Sequence, residues 1–386
     1  MEQNSSYAYI KQRRVLPGAN RIQTGTIKTV KEKVKGFFTA LSLETGDEAM
    51  TGKVKVQWKK LEKKAAEQTR DFGYFLFSTG YNITAGFMEA SRKMRDLLKP
   101  LPAGVKVESF YYGSSNNPMH QGNVYTPVFQ KPIGIVIDIH GGCWNHGDKD
   151  VYHHFSYDLA RRGFQVLSLT YSLGDEITQK EQVQDVFAFL HYISKNKAGL
   201  HLANKPAVLC GDSAGAQLSL LSLYINQNEH MQKLFQVKPV KLDLQALILM
   251  HPVCFIRKAL HFSRISWLSD NLLTPGLLQE LYGHSWKESQ LERLSDPAVF
   301  DWKDFKLPPV LIVTSAGDRF FGKQSSMLAS LFQKHHVGYE LYQERDARAF
   351  HTYHIVDPED DLSKKANAFI ENFILKAFHH TALQGS

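Results

Sequence analysis

One stretch constrains this chain more than any other: Ala207–Tyr224, reading AVLCGDSAGAQLSLLSLY. Its apolar run Ala207-Val208-Leu209-Cys210 stops at Gly211, and Ser213 follows between Gly211 and Gly215. After Gly215 the residues stay apolar or small for too long to be a strand. The pattern is strand, sharp turn, buried helix, with a serine at the apex. In that context Gly-x-Ser-x-Gly is a nucleophile elbow, which holds the serine on a strained turn with its hydroxyl presented at the sheet edge. Glycine stands two residues either side because such a turn leaves no room for side chains there. The helix beyond aims the positive end of its dipole at whatever sits over Ser213. Glycine and serine are common in loops, so the elbow needs partners elsewhere in the chain.

Downstream of residue 104 the chain alternates strands and helices. Val105–Tyr112 and Asn123–Pro127 read as the arms of an antiparallel hairpin, and Ile133–Ile139 as a buried strand rich in β-branched residues. A helix carrying Leu159 and Ala160 precedes a strand over Phe164–Thr170, and Gln182–Ile193 places Val183, Val186, Phe187 and Leu190 on one helical face. Beyond the elbow come strands at Leu244–Met250, Val310–Thr314 and Tyr339–Tyr342, a helix near Gln324–His335, and a closing helix over Lys364–Phe378. This order predicts an α/β fold: a mostly parallel sheet with helices on both faces. Ligands of such sheets bind at the carboxyl ends of the strands. Ser213 is at such an end.

A second carrier of chemistry is His140-Gly141-Gly142-Cys143-Trp144, directly after the buried strand Ile133–Ile139. Attack by serine on an acyl carbon creates an oxyanion, and backbone N–H groups of glycines can approach it without obstruction. The expected oxyanion hole is Gly141 and Gly142 with the N–H of Ala214. The plainer alternative is a tight strand-to-loop turn; His140 is expected to be structural rather than a base, since its neighbours form the hole.

These motifs, with LPPVLIVTSAGD and AFHTYHIVDP following in order, make the chain resemble the α/β-hydrolase superfamily from about Val105 to its C-terminus. The resemblance falls on the branch of hormone-sensitive-lipase-like carboxylesterases and their feruloyl-esterase-like and kynurenine-formamidase-like relatives. It implies an α/β-hydrolase fold and a serine hydrolase that cleaves carboxylic esters through an acyl-enzyme, with no metal and no cofactor. The chain order of such enzymes is serine, acid, histidine. Asp318, reached from the strand Val310–Thr314 through Ser315-Ala316-Gly317, matches the acid position, with Asp346 as a local alternative. Phe350-His351-Thr352-Tyr353 matches the base motif, which makes His351 the expected base and leaves His354 as a supporting or packing residue. The pairs His153-His154 and His379-His380 lack metal-ligand spacing and read as surface histidines. Cys143 stands where lipase-like relatives carry a third glycine. His-Gly-Gly-x-Trp therefore keeps an arylformamidase as an alternative, and a non-catalytic ligand-binding relative is a further one.

Between Pro252 and Leu307 lies an insertion carrying Phe255, Phe262, Trp267, Leu268, Leu272, Leu277, Leu281, Tyr282 and Trp286. The resemblance implies a lid over the acyl pocket near 253–306; the alternative is helices packed on the sheet edge. Its apolar character suits an ester with a hydrophobic part.

Charge divides the 386-residue chain unevenly. The first hundred residues hold 19 Lys+Arg against 10 Asp+Glu, and the remainder 27 against 28. The basic quarter, 1–100, reads as a helical extension or cap that ends at the turn cluster Lys99-Pro100-Leu101-Pro102-Ala103-Gly104. Within it Ile27–Leu41 forms a basic amphipathic pattern, and Lys53–Gln68 a second. Such a segment suits either an anionic membrane surface or packing on the hydrolase unit. Nucleic acid is not an expected partner, since no recognition motif accompanies the charge. MEQNSSYAYIKQRR has no secretory h-region, and no apolar run reaches the roughly 20 residues a spanning helix needs. Three scattered cysteines suit a reducing compartment. The expected location is cytoplasmic, with a peripheral membrane role left to the extension, and the expected substrate is a small-molecule or lipid ester.

Overall fold

The computed structural model describes residues 101, 103–113, 117–173, 177–202, 205–260, 273–283, 285–287 and 289–384. The basic segment before Leu101 lies outside them, and with it the expected helices Ile27–Leu41 and Lys53–Gln68 and the membrane reading.

Eight strands build one sheet: β1 Val105–Tyr111, β2 Gln121–Pro127, β3 Gly134–Ile139, β4 Phe164–Leu169, β5 Ala207–Asp212, β6 Leu244–Met250, β7 Val310–Ser315 and β8 Tyr339–Glu344. Their order across the sheet is β1-β2-β4-β3-β5-β6-β7-β8. β1 and β2 pair antiparallel from Val105↔Pro127 to Tyr111↔Gln121, and β2 runs antiparallel to β4. The remaining pairs are parallel. Every residue of β3, β4 and β7 is buried. That is why these strands are mainly apolar on both sides rather than alternating, with buried polar residues such as Asp138, Gln165 and Ser168 among them: a parallel sheet is covered on both faces. The exposed hairpin strand β1 instead carries Lys106 and Glu108, paired at 2.9 Å.

Helices cover the two faces: α1 His153–Arg161, α2 Gln179–Lys195, α3 Ala214–Asn226, α4 Glu229–Phe235, then α5 Thr274–Tyr282, α6 Gln290–Leu294, α7 Gly322–Lys334, α8 Tyr353–Val356 and α9 Asp361–Gln384. One core gathers α2, α3 and α7 over β3, β5 and β6 through residues such as Phe187, Leu218, Leu247 and Phe332. The other gathers α1 and α9 on the opposite face through Phe155, Val208, Leu311 and Ile374. From Ala214 to Ile225 every residue of α3 is buried. A helix that is apolar all round is a core helix. It runs beneath the sheet's centre and fixes where Ser213 stands.

Helix α2 begins a turn before its apolar face does, because Thr178 and Glu181 form a capping box. Short helix α4 has no apolar stripe long enough to read from sequence; Asn228 caps it by accepting from the Met231 N–H at 3.0 Å. In the insertion, α5 packs against α2, with Leu277, Leu278 and Leu281 buried in the larger core. The Arg257 guanidinium grips Glu292 of α6 through two hydrogen bonds of 2.5 and 2.6 Å. His153 is not a surface residue: it is buried, with its Nδ1 2.7 Å from the Asp150 carbonyl. Cys143, Cys210 and Cys254 are free thiols. Among the described residues no helix is long and apolar enough to cross a membrane.

Candidate active site

Strand β5 and helix α3 meet at Ser213, whose backbone has φ 49° and ψ −113°. A non-glycine residue in that region carries about 1–3 kcal/mol of strain and persists only where its surroundings hold it. Here the Ser213 N–H donates to the Met250 carbonyl at 2.8 Å, and the Ser213 carbonyl accepts from the Val253 N–H at 3.2 Å. Both partners lie at the end of β6, so the elbow is clamped by the neighbouring strand. Gly215 comes so close to β3 that a Cβ would overlap the Ile139 carbonyl oxygen and lie 2.6 Å from that of His140. Both obstacles are backbone. Gly215→Val is therefore expected to destabilise the fold by more than about 3 kcal/mol, and urea unfolding with activity per folded molecule measures it.

The three residues expected to act together do meet. His351 Nε2 lies 3.0 Å from Ser213 Oγ, and His351 Nδ1 lies 2.7 Å from Asp318 Oδ2. Asp318 follows β7 and is buried, while the His351 side chain keeps 21% of its surface exposed at the mouth. Asp318 also accepts the Phe321 N–H on Oδ1 at 2.8 Å. Burial alone would raise the Asp318 pKa; hydrogen bonds from His251 and His351 outweigh it and hold the carboxyl well below the usual range. Asp346 is elsewhere, paired on the surface with Arg348 at 2.6 Å. His354 is fully buried, with Nδ1 3.0 Å from the Asn367 side-chain oxygen.

The His140–Gly147 loop departs from expectation at one position. The Gly141 N–H donates to Asp212 Oδ1 at 2.6 Å. That donor is taken by the elbow's own carboxylate and is not turned toward the serine, which removes Gly141 from the oxyanion set. The reason is local: Asp212 precedes the nucleophile and, buried, needs partners. Its pKa is driven up by burial and by the charge of Asp138, and the Gly141 N–H opposes that. Gly142 then reverses the chain at φ 109°, a conformation open to glycine, and its carbonyl accepts from the Asn145 and His146 N–H groups. His140 is structural, stacked on Tyr171 at 4.2 Å. Burial pushes its pKa down to about 4 and the Cys143 thiol up to about 11, so neither is an acid–base group near neutrality.

Trp144 locks this loop. Its indole N–H donates to Gln217 at 3.0 Å, Gln179 donates to the same oxygen at 3.0 Å, and the Tyr282 hydroxyl donates to Gln179 at 2.9 Å. The Gln182 amide donates to the Trp144 carbonyl. Asn145 donates to Glu280 of α5 at 2.6 Å, which ties the insertion to the loop. The glutamines were invisible as site residues in the sequence, where they look like polar positions of amphipathic helices.

His251 was missed altogether. It follows β6 at φ 46°, and its Nδ1 lies 3.2 Å from the same Asp318 Oδ2 that faces His351. The only signal available was its place at the carboxyl end of a core strand. Ligand atoms of His251, Asp318 and His351 lie within 4.8 Å of one another, as in a chelating trio. However, the 2.7 Å between His351 Nδ1 and Asp318 Oδ2 is a charge-assisted hydrogen bond. Two atoms sharing a tetrahedral zinc ion would stand roughly 3.3 Å apart.

Comparison with known proteins agrees with this architecture. A sequence family described as alpha/beta hydrolase fold matches residues 136–355. Esterase B from Lactobacillus rhamnosis superposes with a TM-score of 0.70 at 25% identity, over 80% of this chain and 98% of the other. A hyperthermophilic esterase from the archaeon Pyrobaculum calidifontis gives 0.61 at 18% identity, over 78% and 94%. An esterase of the bacterial hormone-sensitive lipase family gives 0.57 at 18% identity, over 75% and 89%.

Proposed function

This chain belongs to the alpha/beta hydrolase fold family as a carboxylesterase-like hydrolase, and we propose that Ser213, His351 and Asp318 carry its reaction. The observation that supports this most is the continuous relay Ser213 Oγ, His351 Nε2, His351 Nδ1, Asp318 Oδ2, with steps of 3.0 and 2.7 Å. With the Asp318 carboxylate ionised and acceptor-only, the Nδ1 proton belongs to His351, which leaves Nε2 to accept the serine proton. Ser213 Oγ attacks the ester carbonyl carbon as its proton passes to Nε2, and Asp318 stabilises the imidazolium. The tetrahedral oxyanion is held by the N–H groups of Gly142 and Ala214, at the positive end of α3. Collapse breaks the ester C–O bond, and His351 returns the proton to the departing alcohol. Water, activated by the same base, then releases the acid from Ser213.

The substrate in this reading is a small carboxylic ester, the catalytic unit spans 101–386, and the insertion near 253–306 walls the acyl pocket. The Asn145–Glu280 hydrogen bond supports that placement, since it holds α5 beside the loop of Gly142. The test is fluorophosphonate labelling of the full chain, followed by mass mapping and by turnover of p-nitrophenyl esters beside an N-formyl arylamine. A single adduct on Ser213, with ester turnover well above formamide turnover, is expected. No adduct on Ser213 would overturn the reading; faster formamide cleavage would move it to an amidase.

A further inference from the structure

His251 lies within hydrogen-bonding distance of the acid of the relay. Its side chain has no exposed surface, and that of Asp318 has 1%. His251 Nδ1 stands 3.2 Å from Asp318 Oδ2, and His351 Nδ1 stands 2.7 Å from the same oxygen. An ionised carboxylate only accepts, so both imidazoles present N–H groups to one oxygen. The fold also spends strain on placing this ring. His251 sits at φ 46°, where a non-glycine residue is unfavourable. The turn is held by its N–H, which donates to the Val313 carbonyl of β7 at 2.7 Å. The ring lies edge-on to His351 at 5.3 Å and to Tyr353 at 6.0 Å, and over His354 at 5.7 Å. Its Nε2 is buried without a hydrogen-bond partner. A buried polar atom left unmet is unfavourable, so the hydrogen-bonded end of the ring carries its interactions. The useful end of the ring is Nδ1.

We propose that His251 is a positioning residue for the relay: its Nδ1–H fixes the orientation of Asp318 and draws charge from Oδ2, and so sets how firmly Asp318 holds and aims His351. The proposal rests on the hydrolase reading above. Three groups share Asp318, with the Phe321 N–H on Oδ1 and the two imidazoles on Oδ2. Removing His251 leaves Oδ2 to His351 alone. The carboxylate then interacts more strongly with the protonated form of the base. It also frees Asp318 to rotate, which lowers the fraction of molecules with His351 aimed at Ser213. The titratable groups facing the His251 ring are Asp318, His351, His354 and Tyr353, and the variants leave all four in place.

The experiment compares His251→Phe, which keeps a ring and loses the donor, with His251→Asn, whose side-chain amide N–H occupies the place of Nδ1. The full chain is used, with p-nitrophenyl acetate from pH 5 to 9, thermal melting to establish folding, and the low-field proton spectrum of the His351–Asp318 hydrogen bond. His251→Phe is expected to lower kcat about tenfold with KM changed less than twofold, and to move the acid limb of kcat/KM upward by about half to one pH unit. It should also shift the low-field resonance. His251→Asn should return the limb and the resonance toward wild type. A limb and resonance unmoved in His251→Phe, or moved equally in both variants, would overturn the proposal. If His251→Phe does not fold, His251→Leu replaces it under the same criteria. Failure of the hydrolase reading looks different, because wild type itself would then neither label on Ser213 nor turn over.

Discussion

Ser213→Ala is expected to abolish ester turnover while leaving the fold intact. Loss of a relay nucleophile removes the covalent route altogether, and drops of about 10^4- to 10^6-fold in kcat are typical. The fold has little reason to respond. Ser213 is buried, but its backbone is held by main-chain bonds to Met250 and Val253 that alanine keeps. The hydroxyl's only described partner is His351, which is partly exposed and can turn to solvent. The unfolding free energy should therefore stay within about 1 kcal/mol of wild type. Purified variant assayed with p-nitrophenyl butyrate and by calorimetry reads both quantities. Retained turnover with wild-type KM would mean that the chemistry lies elsewhere. Lost turnover with a collapsed melt would say only that the elbow was destroyed, and Gly215→Val is the variant in which that outcome belongs.

Legibility followed chemistry that is local in sequence. The elbow could be read because strand, turn and helix are contiguous and because Gly211 and Gly215 have a steric reason to be there. The strands β3, β4 and β7 could be read because burial on both faces makes them mainly apolar and rich in β-branched or large residues. Asp318 and His351 came from motif positions, and the structure brings them to 2.7 Å. Gly141 shows where this logic fails. As a sequence, two glycines after a core strand are equivalent donors. In space the first is claimed by Asp212, 71 residues away, at 2.6 Å. No local rule separates them, since the buried carboxylate that makes the difference has to be placed first. His251 fails for the same reason. It carries no motif, and its meaning arises when β6 and β7 pair in parallel, Met250 beside Val313, and so bring the ends of both strands to one place. The glutamines about Trp144 belong to α2 and α3, whose faces converge only once both pack on the sheet.

His351 and His354 lie three residues apart, and their replacement by alanine is expected to give crossed effects. His351→Ala should lose activity about as severely as Ser213→Ala, because members of the relay act as a unit. Its stability should fall by only about 1–2 kcal/mol, since the ring is partly exposed and the buried Asp318 keeps His251 and the Phe321 N–H as partners. His354→Ala should do the reverse. This ring is fully buried, stacks with His251 at 5.7 Å, and is held by Asn367 at 3.0 Å. Its removal leaves a cavity and an unpaired amide, and a loss of about 2–4 kcal/mol is expected near pH 8. Activity per folded molecule should remain within a few fold. The loss should also shrink with acid, by a sign that can be worked out. Burial, aided by His251, depresses the folded pKa of His354 to about 3, against about 6.5 when unfolded. Above pH 6.5 both states hold the ring neutral and its full stabilisation is present. As pH falls below that, the unfolded chain gains a proton that the folded one refuses, and stability is lost down to the folded pKa. By pH 5 that penalty reaches about 2 kcal/mol in wild type, and alanine does not carry it. Urea unfolding at pH 8 and pH 5 should therefore show wild type and His354→Ala drawing together at the lower pH. A gap that widens instead would mean that His354 is charged in the folded protein. Loss of activity in His354→Ala, with survival in His351→Ala, would exchange their roles.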